Sequence, residues 1–257
     1  MRNAPHKIVF VATLAFSICR LTAAYSPTPA AGQRGQSDED RAIAALTGLN
    51  VPLGRDPSGR VRWIEAGNGE LNDAAMVHLA KLTMLDWLEI GGGKLTAAGM
   101  THLKSCAALK RLYIHDVSVS HDALEWLSGL QLEALSLQRT GIEGKVLENL
   151  KKTDTLSVLN LSENIITDED MVQVDRFSSL EVLALQNTKV TGVGLARLKD
   201  LKRLNVLNLK NCRIVDADLA CFLSMPNLRI VHAAGCDLSD NGVKEIVGKL
   251  PLLAIFR

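Results

Sequence analysis

Aliphatic residues return along this chain at a fixed interval. One column reads Val61, Leu85, Leu109, Leu132, Leu156, Leu180, Leu204, Leu228 and Leu252, every step being 24 residues except a 23-residue step from 109 to 132. Three residues on stand Ile64, Leu88, Leu112, Leu135, Leu159, Leu183, Leu207, Val231 and Ile255, and two further on stand Ala66, Ile90, Ile114, Leu137, Leu161, Leu185, Leu209 and Ala233. The last two columns alternate with polar neighbours, which predicts a short strand with one buried face in every unit. A later apolar column (Leu71, Leu95, Val119, Ile142, Ile166, Val190, Ile214, Leu238) is followed by residues that suit a helix start: Asn72, Thr96, Ser120, Thr167, Thr191 and Ser239. Apolar pairs three apart come next, such as Met76/Leu79, Met100/Leu103, Leu195/Leu198 and Leu219/Phe222, as one face of a short helix requires. Each unit thus reads as strand, turn, short helix and return loop.

A unit of this size cannot bury its own apolar face, but stacked copies cover one another. The pattern therefore predicts an α/β solenoid: a horseshoe with parallel strands on the concave face and short helices on the convex face. Eight full repeats and a terminal strand occupy residues 61–257. Residues 38–60, "DEDRAIAALTGLNVPLGRDPSGR", are expected to cap the N-terminal end with a short helix, then a turn and strand leading into the first repeat. At the other end "LLAIFR" supplies a strand with no helix after it and leaves an open sheet edge.

The first 24 residues belong to another class of segment. Arg2 and Lys7 precede an apolar run from Ile8 to Ile18, and small residues close the stretch at Thr22, Ala23 and Ala24. This is the layout of a secretory signal, with cleavage expected after Ala24. The run is too short for a membrane span, which needs about 20 apolar residues. Residues 25–37 read as a flexible linker rich in Pro, Gly and Ser. The expected location is therefore secreted, periplasmic or cell-surface, with no stable membrane insertion once the signal is removed.

In "LSVLNLSEN", "LEVLALQNT" and "LNVLNLKNC" the chain resembles the leucine-rich-repeat family, in the short-unit form found among exported bacterial proteins. The resemblance covers residues 61–257. It implies that Asn164, Thr188 and Cys212 face inward and bond neighbouring backbone turns. Gly69, Gly93 and Val117 hold that place in the early units, where the bonding should differ. It also implies that the third, fifth and seventh positions of each strand form the surface that meets a partner.

On those positions the first three units carry Trp63, Glu65 and Gly67, then Trp87, Glu89 and Gly91, then Arg111, Tyr113 and His115. Aromatic residues are only 4% of the chain, yet two of its three Trp and one of its two Tyr meet here. Exposed aromatics among charges are the stuff of binding hot spots. The alternative is that they pack beneath the N-terminal cap. Trp63, Glu65, Trp87, Glu89, Arg111, Tyr113 and His115 are the candidate partner-binding residues. Farther along, Ala134, Val158, Val182, Val206 and Ile230 form an outward apolar column, which reads either as a contact surface or as ordinary strand packing.

Composition narrows the function further. A net charge of +1 gives no reason to expect nucleic acid. Cys212 and Cys236 stack one repeat apart and are expected as buried thiols, Cys106 as a core residue and Cys221 as partly exposed. No spacing of Cys and His suggests a metal, and no phosphate loop or nucleophile elbow is present, so neither cofactor nor catalysis is expected. The leading expectation is a monomeric, non-catalytic module that binds a protein, with an extracellular polymer as the other candidate ligand. A self-assembling structural repeat is the alternative class. A substrate-recognition arm of a ubiquitin-ligase-like complex is a weaker one, because 38–60 is too short for the helical segment it would need.

Overall fold

The computed structural model describes residues 37–120, 122–151 and 154–257. The expected signal and most of the expected linker lie outside the described residues. Helix α1 (Asp38–Gly48) opens the described chain, and its acidic first turn suits the positive end of the helix. Ala42 and Leu46 are its buried side chains. Strand β1 (Leu53–Arg55) follows and turns back at 56–60 to pair antiparallel with β2 (Val61–Ala66). The turn is tied by the Asp56 carboxylate, which accepts from the backbone N–H groups of Ser58 and Arg60 at 2.9 and 3.1 Å.

From β2 onward all pairing is parallel. The strands are β3 (Trp87–Gly91), β4 (Arg111–His115), β5 (Ala134–Gln138), β6 (Val158–Asn160), β7 (Val182–Ala184), β8 (Val206–Asn208), β9 (Ile230–His232) and β10 (Ala254–Phe256). They lie in chain order in one sheet, each in register with the same position of the next unit, as in Leu135↔Leu159 and Leu183↔Leu207. The first, second and third aliphatic columns are buried nearly throughout, so the alternation read from the sequence is the alternation of the sheet. A backbone ladder precedes strands β3 to β9: the amides of Asp86, Lys110, Glu133, Ser157, Glu181, Asn205 and Arg229 each donate to the carbonyl of the same position one repeat back, at 2.7–2.9 Å.

On the opposite side run helices α2 (Asp73–Leu79), α3 (Ala97–Met100), α4 (Met171–Val174), α5 (Gly192–Ala196) and α6 (Asp240–Lys249). Residues 122–129, 144–149 and 216–224 form 3-10 helix instead, a departure from the uniform short helix expected. With six to nine residues available, most backbone groups are end groups, and the tighter i→i+3 pattern satisfies them sooner. Asn72, Thr96, Thr191 and Ser239 sit at helix N-caps as the sequence suggests. In the fifth unit Asp170 takes that place, and its carboxylate accepts from the N–H of Thr167 at 2.8 Å.

Repeats are also clamped to one another on this side. Asp168 accepts from the backbone N–H of Thr191 at 2.7 Å, from its hydroxyl at 2.7 Å and from the N–H of Gly194 at 3.0 Å. A carboxylate of one unit therefore caps the helix of the next. Asp73 does the same for Thr96, and Asp216 for Ser239.

The inward turn position develops along the chain as its residues change. Asn164 donates to the carbonyls of Leu137 and Leu161 at 2.6 and 3.0 Å, and accepts from the N–H of Thr140 at 3.0 Å. Thr188 donates to Leu185 O at 2.7 Å. The thiols of Cys212 and Cys236 continue the series, donating to Leu185 O at 3.0 Å and Leu209 O at 3.1 Å. Both cysteines are free, and burial pushes both thiols up from their ordinary pKa. Cys106 is buried and Cys221 half-buried.

The residue just before this position is left-handed in unit after unit: Gly92, Asp116, Arg139, Glu163, Asn187, Asn211 and Gly235 all have φ between 52° and 78°. Such a backbone is unusual for Arg or Glu. Here the repeat imposes it, and side chains standing on it link across units. Arg139 bridges Asp116 at 2.7 Å and Glu163 at 2.6 Å, and the Asn211 amide donates to the Asn187 carbonyl at 2.8 Å.

Candidate functional site

The strand face of the first three repeats holds all seven candidate residues. Trp63, Trp87 and Arg111 are in-register partners across β2, β3 and β4, and so are Glu65, Glu89 and Tyr113. His115 pairs with Gly91 at the far end of the same strands.

The two indoles nevertheless make no ring contact with each other among the described residues. Trp63 leans outward onto the hairpin: a Cβ placed on Gly54, its partner on β1, would sit 1.8 Å from the indole Cε2. The ring lies over the glycine, and Trp63 still leaves 38% of its surface exposed. The cap strand thus supports Trp63 on one side and does not cover it. Trp87 takes the other direction and meets Tyr113 edge-on, with centroids 6.2 Å apart and planes at 85°. This T-shaped geometry suits the ring quadrupoles. The Trp87 indole N–H is buried with no acceptor among the described residues.

Tyr113 is less open than the sequence suggests, with only 8% of its surface exposed, and burial pushes its hydroxyl up to about 12. The apolar column beyond it is also mostly covered: Ala134, Val182 and Val206 are buried, and Val158 and Ile230 half-buried. Of the two readings of this column, that burial favours ordinary strand packing over a contact surface. Parallel in-register strands stand about 4.8 Å apart, so side chains of one column shield their neighbours on both sides. What remains open on this face is concentrated at Trp63 and Arg111.

The charges are distributed unevenly. Asp86, which the sequence reading overlooked, binds two arginines: Arg62 through Nε at 3.0 Å and through a shorter Nη2 contact, and Arg111 at 3.3 Å. Arg111 is therefore held at the N-terminal edge of the strands. At the other end His115 lies over Gly91, where a Cβ would meet its Cε1 at 2.3 Å. Its Nε2 is 3.2 Å from Glu89 and its Nδ1 3.0 Å from Asp116. Glu89 is 9% exposed. Its hydrogen bond, followed by that of Asp116 and the two charges, raises the His115 pKa above its ordinary 6.5 against the opposing effect of burial.

A pH dependence follows from that shift. A histidine whose folded-state pKa is raised contributes stability fully present below its unfolded value, near 6.5, and lost as pH rises through the folded value. The stability difference between the wild type and His115→Gln, from urea titrations, should therefore shrink as pH is raised from mildly acidic to alkaline. The His115 ring resonances should titrate above the usual histidine midpoint, and Glu89→Gln should bring that midpoint down. A His115 midpoint unaffected by Glu89→Gln would refute the assignment.

Among the described residues no group of three His, Cys, Asp or Glu side chains is placed to hold a metal ion, and no helix is long and apolar enough to cross a membrane. The unclosed parallel sheet, the helices behind it and the inward turn ladder are those of a leucine-rich-repeat solenoid of the short-unit type. Among solved structures the chain is similar to the crystal structure of internalin C2 from Listeria monocytogenes str. 4b F2365, with a TM-score of 0.61 over 83% of this chain and 90% of that one, at 21% identity. No family profile and no curated protein matches the sequence.

Proposed function

We propose that this chain is an exported, non-catalytic module that binds a protein partner on the strand face of its first three repeats. The observation that carries the reading is the in-register assembly of Trp63, Trp87 and Tyr113 with Glu65, Glu89, Arg111 and His115. This part of the strand face is rigid, since β2, β3 and β4 are each paired on both sides, so little conformational entropy is lost when a partner docks. Trp63 is large, partly exposed and supported from behind by Gly54, which is the character of a binding anchor. The likeness to an internalin supports a protein-interaction module in general terms. The signal-like pattern of residues 1–24 supports export.

The test is capture from the source organism with the wild type and a Trp63→Ala/Trp87→Ala double variant. A partner recovered by the wild type should be lost with the double variant, because hot-spot aromatics contribute about 2 kcal/mol or more each. Unchanged recovery would remove this face from consideration. Residues 252–257 offer a second surface, since β10 has one unpaired edge among the described residues and Leu252 and Phe256 are exposed. Sedimentation at several concentrations tests the assembly reading that this edge supports, and a persistent monomer would exclude it.

A further inference from the structure

The strand face of the first repeats carries negative charge that the chain itself does not balance. Glu65 and Glu89 are direct partners on β2 and β3. Like charges opposite one another in a sheet repel. Glu89 is relieved by His115. Glu65 is half-buried, and its carboxylate has no hydrogen-bond or ion-pair partner among the described residues. Burial, and then the charge of Glu89, hold its carboxyl above the usual range. The nearby arginines are engaged elsewhere, Arg62 and Arg111 both on Asp86. On the same strands the two indoles diverge, Trp63 toward Gly54 and Trp87 toward Tyr113. The Trp87 N–H, buried without an acceptor among the described residues, marks the same cluster as incompletely satisfied.

We propose that this face receives an arginine side chain of the protein partner, with Glu65 and Glu89 as its counter-charges and Trp63 and Trp87 as flanking ring surfaces. The inference rests on the reading above that the face is a partner surface. A guanidinium fits the place chemically. Its planar fork of five donors can serve two carboxylates from adjacent strands, and it stacks on indole faces better than a compact ammonium does. Docking would remove the repulsion between the two acids and so relieve a conflict present in the free protein.

The test uses the full chain and three synthetic peptides, acetyl-Gly-Gly-X-Gly-Gly-amide with X as arginine, lysine or citrulline. The readout is the indole N–H resonances of Trp63 and Trp87. The arginine peptide should shift both resonances saturably in roughly the millimolar range, as expected for a single small anchor. Glu65→Gln, nearly the same shape, should bind it roughly ten-fold more weakly, the loss of one charge-assisted contact. Lysine should bind more weakly than arginine, and citrulline, similar in shape but uncharged, should not saturate. Equal binding of the citrulline peptide would overturn the proposal while leaving the face as a partner surface. Equal affinity in Glu65→Gln, or no shift with any peptide, would also overturn it. Unchanged partner recovery in the Trp63→Ala/Trp87→Ala capture would sink the partner-surface reading and this inference with it, whereas the peptide outcomes sink the inference alone, so the two failures are distinguishable.

Discussion

Asn164→Ala is expected to destabilise the protein by about 3–5 kcal/mol, a large part of what a domain has available. The side chain is buried between two repeat turns. Its amide nitrogen serves the carbonyls of Leu137, Leu161 and Ser162 at 2.6, 3.0 and 3.1 Å. Its oxygen accepts from the N–H groups of Thr140 and Ile142 at 3.0 and 3.3 Å. Alanine strands all of these at once, and each buried group left unpaired costs about 1–3 kcal/mol, with partial relaxation reducing the sum. Asn164→Asp should be no milder at neutral pH, since it turns a carboxylate toward three carbonyl oxygens, and it should recover in part at acid pH. Thr188→Val one unit on removes the bond to Leu185 and a weak 3.7 Å contact with the Cys212 thiol, and should cost about 1 kcal/mol. Urea titrations of the three variants check the order. An Asn164→Ala variant as stable as Thr188→Val would mean that the turn ladder is not where the repeats are held.

The aliphatic columns were legible because the repeat writes each one eight or nine times, and burial follows from alternation without further information. Asn164, Thr188 and Cys212 were legible through the family resemblance, and their bonds to Leu137 and Leu185 are in the structure. The left-handed column before them was half visible. Asn187 and Asn211 are residues that tolerate that backbone, but Arg139 and Glu163 give no local signal, and only alignment to the repeat places them there. The candidate site was legible as a set of columns and not as a surface. That Trp63 leans on Gly54 depends on the register of the β1–β2 hairpin, which lies outside the repeat and is fixed by one turn. The burial of Tyr113 depends on ring packing with Trp87, where spacing along the chain is silent.

Phe177→Ala is expected to cost about 3–5 kcal/mol and to do so in a manner peculiar to solenoids. Phe177 is fully buried at the end of the helical segment of the fifth unit, in a column shared with Leu82, Cys106, Leu130, Leu201 and Met225. Truncation leaves a ring-sized hole between the fourth and sixth units, whereas Phe177→Leu restores the residue found at Leu130 and Leu201 and should cost much less. Each unit of a stacked array touches only its neighbours, so the defect weakens the interfaces on both sides of it and leaves those farther off intact. Unfolding of Phe177→Ala should therefore lose cooperativity. Hydrogen exchange should show protection falling first around β6 and β7 while β3 and β4 retain theirs. A single transition merely shifted to lower urea, with protection reduced evenly from β2 to β10, would show instead that the array unfolds as one unit and that coupling between repeats outweighs the local loss.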